Sequence, residues 1–333
     1  MDRVLTGITT TGTPHIGNYV GAIRPAVMAS KAHEVESFFL VADYHSLVKS
    51  QNAELVNEST LQIAASWLAT GLDTKSIFYR QSDIPEIMEL TWILTCMAAK
   101  GLMNRSHAYK AAVAENNASE HKDPDKGITM GLFSYPILMA ADILIFKANK
   151  IPVGKDQIQH VEMARDIAGR FNHRFGEFLV QPEAVVNDDA AVLPGLDGRK
   201  MSKSYSNIIP LFSDEKKLRK LIMRIKTNSQ EPGEPKDPDE STLFTIYSAF
   251  ANADEIVQMR VRYAEGIAWG EMKTILFEYI NEHLSTARDE YLRLIAAPDH
   301  VESVLQQGAE RARQISVPVL EEVRNAVGIR RLE

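Results

Sequence analysis

The chain has 333 residues, enough for two domains at ~150 residues each, and its 45% hydrophobic content suits an ordinary globular core. A net charge of −7 is the wrong sign for a protein that coats nucleic acid, although screening within ~8–10 Å leaves room for a local basic patch. The single cysteine, Cys96, excludes an intrachain disulfide and a thiolate metal cluster, and the nine histidines show no HExxH or paired-ligand spacing that would hold a transition metal.

The opening MDRVLTGITTTG lacks the basic start and apolar run of a secretory leader. No window reaches the ~18–20 uninterrupted apolar residues of a membrane span, so the expected location is cytoplasmic. RVLTGI (3–8), SFFLVAD (37–43) and SIFYRQ (76–81) read as short strands. Helical patterns fill the gaps, NYVGAIRPAVMAS after the first and residues 53–71 after the second. This alternation predicts an α/β fold, a Rossmann-type doubly wound parallel sheet with helices on both faces. Ligands of such sheets bind beyond the carboxyl ends of the strands.

Cys96 lies in the apolar run WILTCMAA and reads as a buried core thiol. ENNASEHKDPDKG (115–127) is polar and without hydrophobic period, which predicts a mobile surface loop. An apolar run then follows over 131–146, in which Asp142 is the only charged residue. IPVG (151–154) reads as a buried strand end and residues 155–172 as an amphipathic helix. VLPGLDG reads as a loop leading into GRKMSKS (198–204).

After residue 205 the strand signal vanishes. Ser213 stands at a plausible N-cap, with acids in the first turn and bases later. KKLRKLIMRIK (216–226) is either a basic patch or a solvated helix face with Leu218, Leu221, Ile222 and Ile225 turned inward. A Pro/Gly/acidic linker (230–241) precedes helical patterns over 243–293 and 300–327. The expected organisation is a catalytic domain over 1–195, a loop over 196–210 and a C-terminal all-helical domain over 211–333, its last helix packing back on the first domain.

Two stretches carry chemistry. TTGTPHIGN (10–18) follows the first strand and opens the first helix, where free N–H groups and a partial positive charge hold phosphate. Gly12 and Gly17 permit close backbone approach, and His15 and Asn18, three apart, can face one anion. The same stretch also reads as a Gly/Thr-rich turn with a satisfied histidine. KMSKS (200–204) is more specific: at uniform composition roughly one chain in 10⁴ of this length would contain it by chance.

Together, in this order, the two stretches resemble the signatures HIGH and KMSKS of the class I aminoacyl-tRNA synthetases, with HIGN here in place of HIGH. The resemblance implies attack of an amino-acid carboxylate on the α-phosphorus of ATP. The nucleophile is already ionised, so catalysis rests on stabilising phosphate charge at the transition state. Lys200 and Lys203 would follow the β- and γ-phosphates, Ser202 and Ser204 would hydrogen-bond them, and Mg²⁺ would enter with ATP. His15 and Asn18 would meet the phosphates from the other side, with Thr9, Thr10, Thr11 and Gly17 around them.

MAAD (139–142), PVGKDQIQH (152–160) and the run from GITTTGTPHIGNYVGAIRP to the final IRR narrow the resemblance to the tryptophanyl-tRNA synthetases. It implies that Asp142 accepts the indole N–H, which also offsets the cost of burying that carboxylate. By the same resemblance Tyr135 and Gln157 lie at the ammonium and carboxylate end, His45 near the carboxylate, and Met139 and Val153 along the indole. Gly154, Lys155 and Asp156 fall where the family holds the ribose, and Val192 and Met201 where backbone groups meet adenine. Implied partners are L-tryptophan, ATP, tRNA(Trp) and a second copy in a homodimer. Residues 216–226 and Arg311, Arg313, Arg324, Arg330 and Arg331 would supply phosphate contacts.

The chain departs from the family at Thr9-Thr10-Thr11-Gly12, where Gln-Pro-Ser/Thr-Gly is usual, and at Leu5, where an aromatic is common. It also lacks the cysteines that some relatives use for an iron–sulfur cluster. Two other readings share these residues: a non-catalytic tryptophan or tRNA sensor on the same fold, and another HIGH-type nucleotidyltransferase acting on a small acid. The two lysines of KMSKS argue against the first and the long helical C-terminal part against the second.

Overall fold

Three apolar runs near the start form strands β1 (Asp2–Thr9), β2 (Val35–Ala42) and β3 (Ile77–Arg80), and two more follow as β4 (Lys150–Val153) and β5 (Glu183–Val186). They make one parallel sheet in the order β3-β2-β1-β4-β5. The computed structural model describes residues 1–32, 34–119, 123–186, 192–330 and 332. The sequence did not announce β5, whose four residues alternate exposed and half-buried at the sheet edge.

Side chains of β2 alternate between two cores, as strict period-2 geometry requires of a sheet covered on both faces. Phe39 and Val41 face a layer built from the first helix, α1, and from α2 (Ala53–Ala69). Helix α1 runs as Ile16–Asn18, a π-helical Tyr19–Ile23 and Arg24–Ser30. Phe38, Leu40 and Ala42 face the other layer, made of α3 (Pro85–Met97), α5 (Met130–Leu144) and α6 (Ile158–Phe175). Helix α4 (His107–Ala118) lies outside both, with no buried residue.

The C-terminal part is helical: α7 (Glu215–Met223), α8 (Thr242–Ser248), α9 (Ala253–Ala264), α10 (Trp269–Ile295) and α11 (Pro298–Ala326). The described fold is thus a Rossmann-type α/β sheet with a C-terminal helical part. Leu218, Ile222 and Ile225 are buried and Leu221 is half-buried, while the lysines and arginines of 216–226 are exposed.

Helix α11 closes the β3 edge, which would otherwise present open backbone groups. Arg80 makes paired hydrogen bonds with Glu302 at 3.0 and 2.9 Å, Arg313 pairs with Glu86, and Arg324 pairs with Glu89. Arg311 donates to the carbonyls of Thr74, Lys75 and Ser76. The approach is close because position 308 is glycine: a Cβ there would stand 1.6 Å from the Phe78 carbonyl oxygen. Gly308→Ala must therefore push α11 off β3, and we expect a loss of about 2–3 kcal/mol, in the range of overpacked sites. A denaturant midpoint unchanged from wild type would show that the helix shifts without cost.

Three local expectations are corrected. Cys96 is exposed: within α3 the buried residues are Glu86, Ile87, Leu90, Ile93 and Leu94, and the 3.6-residue period turns Trp92 and Cys96 away from them. Glu115–Ala118 belong to α4 and not to a loop, whereas residues 120–122 of that stretch lie outside the described residues. Helix α7 is capped by Asp214, whose side chain accepts from the Lys217 amide at 2.8 Å, while the Ser213 hydroxyl donates to the Pro210 carbonyl.

Candidate active site

The sheet order reverses direction between β1 and β4, the place where parallel sheets bind ligands. Those two strands pair only at Val4 and Lys150, near their starts, so their carboxyl halves diverge. Pro152, with no N–H for a ladder, lies where that pairing has ended. The gap holds a cavity of about 420 Å³, lined among others by Leu5 and Thr9 of β1, Met139 and Asp142 of α5, and Val153, Gly154 and Gln157 after β4.

Asp142 is 1% exposed and reaches the cavity from the apolar helix α5. A carboxylate placed so deep requires donors. Gln81 supplies one, its Nε2 lying 2.7 and 3.0 Å from the two oxygens. The Nε2 of His45 lies 2.9 Å from Oδ2. Gln81 is itself oriented, because its Oε1 accepts from the Tyr44 amide at 3.1 Å. Asp43 holds the same turn by accepting from Tyr44 and Ser82. His45 is thus bound to Asp142 through Nε2 while it lines the cavity.

Elsewhere in the lining the Tyr135 hydroxyl lies 2.8 Å from His160 Nε2, and His160 Nδ1 lies 2.8 Å from Gln157 Oε1. Burial lowers the pKa of His160.

The turn after β1 is held from several sides. Gly12 has φ +99°, a left-handed conformation that favours glycine, and its amide donates to Ser59 of α2 at 2.7 Å. His15 and Asn18 bond each other: the His15 amide donates to Asn18 Oδ1 and the Asn18 amide donates to His15 Nδ1. With Nδ1 accepting, the ring proton sits on Nε2, free to be offered as a donor. The His15 pKa is lowered to about 4, first by burial and then by the charge of Lys203, so this donor is neutral at pH 7. Gly17 lies beside the His15 ring and Met201.

KMSKS comes to that turn. Residues 209–211 run against 14–16, with hydrogen bonds from Ile16 to Ile209 and from Leu211 to Pro14. Asn207 braces the loop, accepting from the Ser202 amide and donating to Asp197. Lys203 Nζ then donates to the carbonyls of Thr11 at 3.0 Å and Gly12 at 2.7 Å. Burial lowers its pKa to about 8. Lys200 is exposed, and its ammonium makes no hydrogen bond or ion pair among the described residues. Ser202 and Ser204 bond each other through their hydroxyls at 2.7 Å.

The structure thus brings Thr9, Asp142, Met139, Tyr135, Gln157, Val153, Gly154 and His45 to one cavity, and Thr11, Gly17, His15, Asn18 and Lys203 to the adjoining turn. Lys155 and Asp156 are exposed just beyond β4. The other expected residues are not among those lining this cavity. Thr10 is fully buried and its hydroxyl is bonded to Ser46, so it faces the core. The Met201 amide already donates to the Leu193 carbonyl, leaving only its carbonyl for a base, and the Val192 side chain is exposed. Arg311, Arg313 and Arg324 are engaged within the chain, Arg330 is exposed, and Arg331 lies outside the described residues. Sequence reasoning missed Gln81 and His160. The first carries no local signal; the second stands three residues after Gln157 on one helix face, a spacing that could have flagged it.

A cavity for a small ligand at the switch point, beside a glycine turn and a lysine loop, defines a nucleotide-using α/β domain of the class I synthetase kind. The family model for tRNA synthetases class I (W and Y) matches residues 2–285. The chain is 60% identical to the tryptophan–tRNA ligase of Pseudomonas aeruginosa, over 99% of this chain and 74% of that protein. It is 57% identical to that of Neisseria meningitidis over 99% of both. The crystal structure of tryptophanyl-tRNA synthetase from Campylobacter jejuni complexed with ADP and tryptophan is 42% identical, with a TM-score of 0.88 over 98% of this chain and 99% of that one. This chain belongs to the class I tRNA synthetases of the W and Y family, on their tryptophanyl branch.

Proposed function

We infer that the chain is a tryptophan–tRNA ligase. A carboxylate oxygen of L-tryptophan attacks the α-phosphorus of ATP, the bond to the bridging oxygen breaks and pyrophosphate leaves. A hydroxyl of the terminal ribose of tRNA(Trp) then attacks the activated carbonyl, and AMP leaves. The observation that carries this reading is the continuity of the site. Asp142 closes an apolar cavity lined by Thr9, and two and three residues further on the carbonyls of Thr11 and Gly12 hold Lys203.

Tryptophan fits this cavity because its indole is apolar apart from one N–H, and Asp142 retains acceptor capacity beyond Gln81 and His45. Mg²⁺ enters as the partner of ATP. The division into a catalytic domain over 1–195, a loop over 196–210 and a tRNA-binding helical domain over 211–333 belongs to the same reading. Exposed cations of α7, Lys216, Lys217, Arg219 and Lys220, give that domain a face for phosphates despite the negative total charge.

A homodimer is proposed on the exposed apolar side chains of α3, Met88 at 41% and Trp92 at 68%, with Met130 of α5 at 72%; a second copy would cover them. Among the described residues no helix is long and apolar enough to cross a membrane; a cytoplasmic location belongs to the same reading. The test is tryptophan-dependent ATP–pyrophosphate exchange, repeated with tyrosine. Exchange with tryptophan alone is expected; exchange with tyrosine, or with neither, would overturn the reading.

A further inference from the structure

We propose that His160 is a positioning residue that sets hydrogen-bond polarity at one end of the cavity, turning the oxygens of Tyr135 and Gln157 into acceptors for a ligand's primary ammonium. The proposal rests on the tryptophan reading above and extends it to a residue that does not itself line the cavity.

The direction of each hydrogen bond follows from its partners. Gln157 Nε2 donates to Asp156 Oδ2 at 3.0 Å, which fixes the amide and turns its Oε1 toward His160. That carbonyl oxygen can only accept, so His160 Nδ1, 2.8 Å away, carries the ring proton. The neutral ring then has a lone pair on Nε2, and the Tyr135 hydroxyl 2.8 Å away must donate to it. Tyr135 has thereby committed its only proton away from the cavity. The Ser106 hydroxyl lies beside the Tyr135 oxygen; a further lone pair there and the second lone pair of Gln157 Oε1 remain.

Both residues line the cavity. An ammonium has three donors and no acceptor, so two oxygens held as acceptors match it. A wall with a free hydroxyl proton or a flipped amide would meet it donor to donor.

The ring is kept neutral by its surroundings. His160 is buried, and burial is the main cause of its lowered pKa. The charges of His107 and His45 act in the same direction, and that of Asp156 opposes them. An imidazolium would place a proton on Nε2, force Tyr135 to accept and turn its hydroxyl proton outward.

The test separates the ammonium from the rest of the ligand. Tryptophan, tryptamine and indole-3-propionate are titrated against the full chain by calorimetry; the third lacks the ammonium and the second lacks the carboxylate. In His160→Phe, tryptophan and tryptamine should weaken roughly ten- to hundredfold, the range for lost hydrogen bonds to a charged group. Indole-3-propionate should stay within about twofold. His160→Gln keeps one donor and one acceptor, and should recover most of the tryptamine affinity. It also serves if the phenylalanine variant does not fold. Equal weakening of all three ligands, or unchanged tryptamine binding in both variants, would overturn the role. A wild-type chain that binds none of the three would instead overturn the tryptophan reading itself.

Discussion

Replacing Lys203 by alanine should lower the rate of tryptophan-dependent pyrophosphate exchange by roughly 10²–10³-fold, the usual effect of removing one preorganised donor from a charge-stabilising site. Tryptophan affinity should change little. Lys203 is the loop cation that reaches the glycine turn, tied to the carbonyls of Thr11 and Gly12, while Lys200 stands exposed. Charge grows on the departing pyrophosphate as the bond breaks, so an ammonium held there acts mainly on the transition state.

The pH dependence has a definite sign. Burial lowers the Lys203 pKa to about 8, so in the free protein the cation is present below that value and is lost as pH rises through it. The kcat/KM for ATP reports the free protein and should fall on the alkaline side of about pH 8. Bound triphosphate favours the charged form, so kcat should persist to higher pH. His15, lowered to about 4, is neutral across the range and contributes no step near neutrality. A variant that binds tryptophan poorly but reacts at the wild-type rate once saturated would contradict this account.

What the sequence disclosed follows from where its signals are local. Strands β1, β2 and β3 are short apolar runs between turn residues, and α6 and α11 are strongly periodic, so each is visible in its own stretch. The motifs at 10–18 and 200–204 are equally local. Their meeting is not, because it depends on the pairing of 209–211 with 14–16, a contact between distant segments. Gln81 is hidden for the same reason. It is one polar residue at the end of β3, and only the sheet order places it beside Asp142. Cys96 is hidden in the sequence because WILTCMAA scans as one apolar run, whereas its helical period divides it between two faces. The cap of α7 was off by one residue, since Ser213 and Asp214 can both cap and only the direction of the chain decides between them. Thr10 belongs to the motif by position, while alternation after β1 turns its side chain into the core against Ser46, which only the folded strand reveals.

Asp142→Ala should weaken tryptophan binding by about 2–3 kcal/mol, or roughly 30- to 150-fold, as expected for a lost charge-assisted hydrogen bond in a buried site. The structure adds a reason for the upper part of that range. The carboxylate also receives Gln81 at 2.7 and 3.0 Å and His45 at 2.9 Å, and its removal leaves the buried Gln81 amide and the half-buried His45 ring N–H facing an empty volume. Their desolvation is then uncompensated. The ATP KM should stay close to wild type, because the glycine turn and Lys203 are held by Ser59, Thr11 and Gly12 and not by Asp142. Discrimination should suffer as well. An analogue without a ring N–H leaves the wild-type carboxylate short of a donor and is rejected for that reason, whereas the alanine variant has no such penalty. The ratio of tryptophan to phenylalanine affinity should therefore narrow along with the loss of tryptophan binding. Calorimetry with both amino acids checks the two effects together, and an unchanged tryptophan affinity would remove Asp142 from the recognition of the indole.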